Sequence, residues 1–326
     1  MNPAFSVIFL TTLIGAAQGL FLALFTAQSY ALFNLLPMQS SRAFYAAGVL
    51  MVLALSALGL FSSLFHLGRP ERAWRSAAMW RTSWLSREVI VLPAFMGVVL
   101  LYGLAHLTGW NPVVSTLADG ILIDASVVLG ILGTLLAFAL FVTTGMVYAC
   151  MRFMQEWHSP LTVINYILLG GASGFTLAAA FASHSAPELV RFFTLWALII
   201  TLLACVSRSA SLLRNRGLRP MSTLQTAIGI KHPRITQKST GFMGGSFNTR
   251  EFFHGQSRAT LRSVKWVFLA AVFALPVMLL ATSLWTGSPG VLALAFVVQY
   301  LGLLAERWYF FAQANHPQNL YYQAVA

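Results

Sequence analysis

Eight separate runs of mostly apolar residues set the limits on what this chain can fold into. They fall at 5–33, 43–65, 89–107, 121–148, 161–183, 189–206, 264–286 and 291–312. A helix needs about 20 such residues to cross the hydrocarbon of a bilayer. Inside lipid each backbone N–H and C=O must find its partner within the protein, which leaves helices or closed barrels. Runs this long exclude barrel strands, so the sequence predicts an all-α polytopic membrane protein of eight transmembrane helices. Composition agrees. Only 9% of residues are charged and 58% are hydrophobic, against about 25% charged in a soluble domain. Disorder is excluded, and two cysteines exclude a disulfide scaffold. The first run has no basic leader and is too long for a signal peptide, so it is expected to be retained.

The net charge is +12. In a soluble protein that would suggest nucleic acid, but no basic arm stands beside a folded domain here. Basic residues instead hold loops on the cytoplasmic side. With eight spans, both termini and the 2/3, 4/5 and 6/7 connections share one side. That side collects 18 of the 20 Lys and Arg residues, and the other has Arg42 and Arg191. Long loops report topology weakly, yet without the 6/7 group the balance is still 7 against 2. Both termini are therefore expected in the cytoplasm, with the chain in the inner membrane of a bacterium.

A weak internal duplication runs through the chain. Phe153, Gln155 and His158 at the end of span 4 recur with the same spacing as Phe311, Gln313 and His316 after span 8. Gln18-Gly19-Leu20-Phe21 in span 1 loosely matches Ser173-Gly174-Phe175-Thr176 in span 5. Four helices per half gives parallel repeats, 1–160 and 161–326. The second half includes a basic loop at 207–263, with ten basic residues, one acid (Glu251) and the glycine-rich stretch Gly241 to Ser246. Such a loop either lies on anionic lipid or docks an acidic partner.

Ionisable groups at membrane depth are costly and mark function by default. His66 ends span 2 and Glu88 opens span 3, both toward the terminus side. Glu306 and Arg307 lie one to two turns inside the same end of span 8. The densest group is His66-Leu67-Gly68-Arg69-Pro70 followed by Trp80-Arg81-Thr82-Ser83-Trp84-Leu85-Ser86-Arg87-Glu88. One connection joins spans 2 and 3, so His66 and Glu88 are expected to approach each other. Oxidising a hydroquinone removes two electrons and two protons from two ring oxygens. A His that titrates near neutrality and a carboxylate flanking an apolar slot suit that task. The plain alternative is a His capping one helix end and a Glu capping another.

Other chemistries fit less well. A haem needs paired axial histidines from the spans, whereas His106 and His184 sit at outer helix ends and no His is central. An iron–sulfur cluster usually takes four cysteines, and Cys150 and Cys205 form no CxxC pair. They are expected as thiols in a reducing compartment. The sequence has no Walker motif, zinc spacing or nucleophile triad. Gln18 is expected in an interhelical hydrogen bond, Asp124 in a cap, and Gly170 to Gly174 in helix packing.

His66-Leu67-Gly68-Arg69-Pro70, Leu85-Ser86-Arg87-Glu88, Tyr148-Ala149-Cys150-Met151-Arg152 and His316-Pro317-Gln318-Asn319-Leu320-Tyr321 resemble the membrane anchor subunits of dimethyl sulfoxide reductase-type enzymes. The resemblance spans the chain. It implies an eight-helix anchor that binds a quinone, either ubiquinone or menaquinone, and carries no haem or iron–sulfur cluster. It also implies two peripheral partners, an iron–sulfur electron-transfer subunit and a molybdopterin catalytic subunit, with the substrate chemistry in the latter. The family's quinone residues carry over to His66 and Glu88, with Arg69 and Arg87 completing the candidate set. Arg69 stands where some members have a small residue. The inward-facing charge favours the cytoplasm-facing branch, in which electrons pass from sulfite to the quinone pool. An outward-facing dimethyl sulfoxide reductase anchor oxidising menaquinol is the close competitor. A secondary transporter and a purely structural anchor stand behind these, since transporters place polar groups on broken helices at midplane.

Overall fold

The computed structural model describes residues 1–116, 121–239 and 251–321. Eight of its helices are long and apolar enough to cross a membrane: α1 (Phe5–Leu32), α2 (Arg42–His66), α3 (Trp84–Thr108), α4 (Ala125–Ala149), α5 (Pro160–Ser185), α6 (Pro187–Arg216), α7 (Arg258–Thr286) and α8 (Pro289–Ala312). This is the all-α, eight-span architecture expected from the apolar runs.

Four boundaries differ from expectation. Helix α3 starts at Trp84, where the Ser83 hydroxyl accepts from the Ser86 N–H. Glu88 therefore lies a full turn inside the helix. Helix α4 starts at Ala125, with Asp124 as its N-cap, accepting from Val127 N at 3.0 Å. The apolar run predicts helix from 121, but Leu122–Asp124 (β2) pairs antiparallel with Val113–Thr116 (β1). The β-branched Val113 and Val114 favour that extended backbone. Helix α6 continues to Arg216, ten residues past its expected end, and α7 begins at Arg258. The basic loop shrinks to 217–257, with a short helix at Leu224–Ile228. Gly241 to Ser246 and Arg250 lie outside the described residues.

Helices α1 and α5 form the centre. Of their most apolar stretches, 61% and 72% is buried, against 33–39% in the other six. They touch backbone to backbone. A Cβ on Gly19 would stand 2.2 Å from Gly170 O, and one on Gly174 would stand 2.1 Å from Gly19 C. Small residues allow this approach, which replaces hydrophobic driving force with close packing in lipid. The glycine-rich stretch of α5 is thus a packing surface, and the two matched segments, Gln18-Gly19 and Ser173-Gly174, meet at the crossing. The outer helices turn Leu135, Leu202 and Leu301 outward, each more than half exposed, as a lipid-facing surface requires.

Two interior glutamines bridge neighbouring helices. Pro276 in α7 lacks the N–H that would reach Val272 O. Gln299 of α8 supplies one instead, Nε2 to Val272 O at 3.3 Å, and also donates to Thr201 Oγ1 at 3.2 Å. Gln18 Nε2 donates to Ala137 O at 2.8 Å, which is the interhelical bond expected of it. An aromatic cluster of Tyr148, Trp157, Tyr166, Phe310 and Phe311 closes the terminus end of the bundle. Trp157 Nε1 donates to Phe310 O at 2.9 Å there.

Candidate functional site

A narrow slot with a cavity of about 30 Å³, room for a water molecule or two, lies between α1, α3, α4, α5 and α8. Its polar lining is Glu88, Thr144, Tyr166, Arg307, Gln18 and the α1 threonines Thr11 and Thr12; Phe141, Leu169 and Leu303 supply apolar wall. Position along each helix gives the depth, at 1.5 Å per residue. Glu88 is four residues in from the start of α3, and Arg307 five from the end of α8. Both stand about 6–8 Å below the terminus-side helix ends. Gln18 and Ser173 mark the deep end, about 20 Å down and near midplane.

Helix geometry brings these groups together from distant sequence. Glu88 is half-buried, and Thr144 Oγ1 donates to its Oε1 at 2.7 Å. Behind the slot wall stands a buried charge group. Glu306 is fully buried, with Arg208 Nε 2.7 Å from its Oε1 and Arg307 Nε 2.5 Å from its Oε2. The charge count assigns Arg208 to the 6/7 connection. The structure corrects this: it lies within α6, only 1% exposed, because the helix continues and turns this side chain toward Glu306. The Arg307 guanidinium lies 4.2 Å over the Tyr166 ring and 5.0 Å from Phe310, a stacked cation–π arrangement. Its Nη1 is buried and makes no hydrogen bond, and the same is true of the Tyr166 hydroxyl, although the two side chains are close enough to interact.

The expected candidates divide. Glu88 faces the slot. His66 is exposed at the end of α2, beside the start of α1, where Ser62 Oγ donates to Ser6 O at 3.2 Å. It does not line the slot and makes no hydrogen bond or ion pair among the described residues. Arg69 is exposed in the 2/3 connection. Arg87 lies 4.1 Å over the Trp84 ring and donates to Trp80 O and Arg81 O, at 2.9 and 2.7 Å. Its donors thus fasten the connection to the head of α3. Arg307 stands out in the sequence by its depth alone. Thr144 and Tyr166 carry no signal there, since an isolated Thr or Tyr in an apolar run reads as packing. Among the described residues, no three His, Cys, Asp or Glu side chains are grouped to hold a metal.

Comparison with known proteins agrees with this architecture. The model of the DMSO reductase anchor subunit family (DmsC) matches residues 1–313. The chain is also 55% identical, over all 326 residues and the full length of both proteins, to the C subunit of sulfite dehydrogenase from Allochromatium vinosum. By this match over nearly its whole length, the chain belongs to the family of DMSO reductase anchor subunits.

Proposed function

We propose that this anchor passes electrons between an iron–sulfur partner subunit and the quinone pool, with the quinone headgroup held in the Glu88–Arg307 slot. The molybdopterin subunit of the same complex would carry the substrate chemistry, and sulfite is the favoured substrate. Full-length identity of 55% to a sulfite dehydrogenase subunit supports that choice. Electron flow would then run from sulfite to quinone: sulfite and water give sulfate, two electrons and two protons, and quinone takes up two electrons and two protons. The name of the family keeps the second reading open, an anchor that draws electrons from menaquinol for a dimethyl sulfoxide reductase.

One observation carries the reading: a slot with apolar walls holds a carboxylate and, beside each other, the Arg307 guanidinium and the Tyr166 hydroxyl, close below the face that bears both termini. The chemistry of this lining suits a flat apolar ring with two oxygens, and the walls must part to admit it, since the cavity is only about 30 Å³. When bound, the quinone supplies the two-electron, two-proton chemistry. Glu88, reached by Thr144, would hold or release a proton at Oε1 or Oε2. The walls of Phe141, Leu169 and Leu303 would exclude water from the ring. His66 at the exposed end of α2 would exchange protons with the aqueous side, with Arg69 and Arg87 ordering the connection between them. We place both termini and the peripheral subunits on the cytoplasmic side of a bacterial inner membrane, as the charge asymmetry favours. The matched segments that meet at the α1–α5 crossing support two parallel halves, 1–160 and 161–326.

Glu88→Gln in the assembled complex tests the site. A fluorescent hydroxyquinoline N-oxide, a quinol analogue, should bind membranes of this variant about tenfold more weakly, as loss of one charge-assisted hydrogen bond implies. Wild-type affinity would remove Glu88 from the site.

A further inference from the structure

Slot-lining Arg307 is held in place by the fold and then left short of a partner. Its Nε is fixed by Glu306 and its face by Tyr166, and it is 4% exposed. Its Nη1 nevertheless meets no acceptor in full hydrogen-bond geometry, and its one polar neighbour besides Glu306 is the Tyr166 hydroxyl. A buried polar group without a partner is costly, and in a native fold it calls for an explanation. Neutralising Glu306 does not explain it, because Arg208 Nε already stands 2.7 Å from that carboxylate. Two guanidiniums share one carboxylate, so the group carries an excess positive charge beside the slot. Helix α3 packs on α2 and α4, whereas α8 packs on α7, α5 and α1. Glu88 and Arg307 therefore reach the slot from different sides.

We propose that Arg307 is the binding residue for one oxygen of the quinone headgroup, donating from Nη1, while Glu88 faces the other oxygen. This rests on the quinone reading of the slot. Glu306 is then the positioning residue: its Oε2 holds the guanidinium plane, while Arg208, on Oε1, only balances its charge, which a lysine there also does. The arrangement favours an acceptor oxygen on which negative charge develops, because a preorganised donor in a dry site acts more strongly there than in water. It also places the two ring oxygens in unlike settings, one beside a carboxylate and one beside a guanidinium.

The test compares Arg307→Lys, Arg208→Lys and Glu88→Gln in the assembled complex, reading binding of the hydroxyquinoline N-oxide to membranes. Lysine keeps the charge that faces Glu306 but loses the forked donor set. Arg307→Lys should weaken binding about tenfold or more, and Arg208→Lys, which lies outside the slot, should stay within about twofold. Equal weakening by Arg208→Lys would overturn the proposal, since the effect would then come from the charge group as a whole. Wild-type binding by Arg307→Lys alongside weakened Glu88→Gln would overturn it while leaving the quinone site in place. Wild-type binding by all three variants would remove both. A second measurement uses the unaltered chain: infrared difference spectra of bound quinone carrying ¹³C at one carbonyl. With the isotope shift subtracted, carbonyl frequencies that differ between the two positions support the proposal, and equal frequencies overturn it.

Discussion

Replacing Glu306 by Gln removes the one carboxylate between two buried guanidiniums. Arg208 Nε and Arg307 Nε lie 2.7 and 2.5 Å from its oxygens, and no side chain of the three is more than 5% exposed. Solvent screening is therefore minimal. Breaking a buried ion pair by removing one partner costs about 3–5 kcal/mol, because the remaining charge is buried alone. Here two charges are left facing each other, which places Glu306→Gln toward the upper end of that range. Adding Arg208→Met removes one of the stranded charges. The double variant should recover about 2 kcal/mol or more relative to the sum of the single changes, the coupling expected of groups in direct contact. Reversible unfolding in mixed detergent and dodecyl sulfate micelles measures both quantities. A cost below about 1 kcal/mol for Glu306→Gln, or simple additivity with Arg208→Met, would refute the electrostatic account of this group.

Other consequences are independent of it. Gly19→Val should cost about 3 kcal/mol or more through overpacking, since even a Cβ would stand 2.2 Å from Gly170 O; Gly97→Ala, with nothing within 4 Å, should leave the unfolding midpoint near wild type or raise it. Cys150 is exposed at the terminus-side end of α4, so a membrane-impermeant maleimide should label it in inside-out vesicles and spare it in intact cells. Labelling from the outside would reverse the topology. Burial, with a smaller push from the amino terminus, lowers the pKa values of His254 and His316 below the ordinary 6.5, and His316 stacks on Phe252 at 3.8 Å. A released state binds more protons than the packed one just below pH 6.5, so stability there falls as pH falls. Hydrogen exchange at 251–257, corrected for intrinsic rates, should therefore be faster at pH 5.5 than at pH 7.5. Equal protection at both would refute this.

The span count is legible in the sequence because lipid imposes length and apolarity on each helix, a constraint local to the chain. The packing role of Gly170 to Gly174, the bond of Gln18 and the cap at Asp124 are legible for similar reasons: each rests on a residue type at a known place along a helix. Convergence is not. Arg208 looks like a loop charge because apolar periodicity ends near Val206, yet a helix continues past the membrane wherever its inward face finds a partner, here Glu306 on α8. Thr144 and Tyr166 gain meaning only from the arrival of Glu88 and Arg307, 56 residues away from Thr144 along the chain in the first case. The 2/3 connection concentrates charge and points to His66 and Arg87. The structure gives Arg87 to carbonyls and Trp84, and leaves His66 at the edge.

Photolabelling with an azidoquinone in the assembled complex locates the headgroup without altering a residue. Label is expected on the slot walls, within Leu10–Gln18 of α1, Tyr166–Ser173 of α5 and Leu303–Arg307 of α8, and should be lost when the hydroxyquinoline N-oxide is in excess. Competable label confined to the outer groove lined by Phe25, Phe138 and Ile200, with none in the slot, would contradict a headgroup held in the slot.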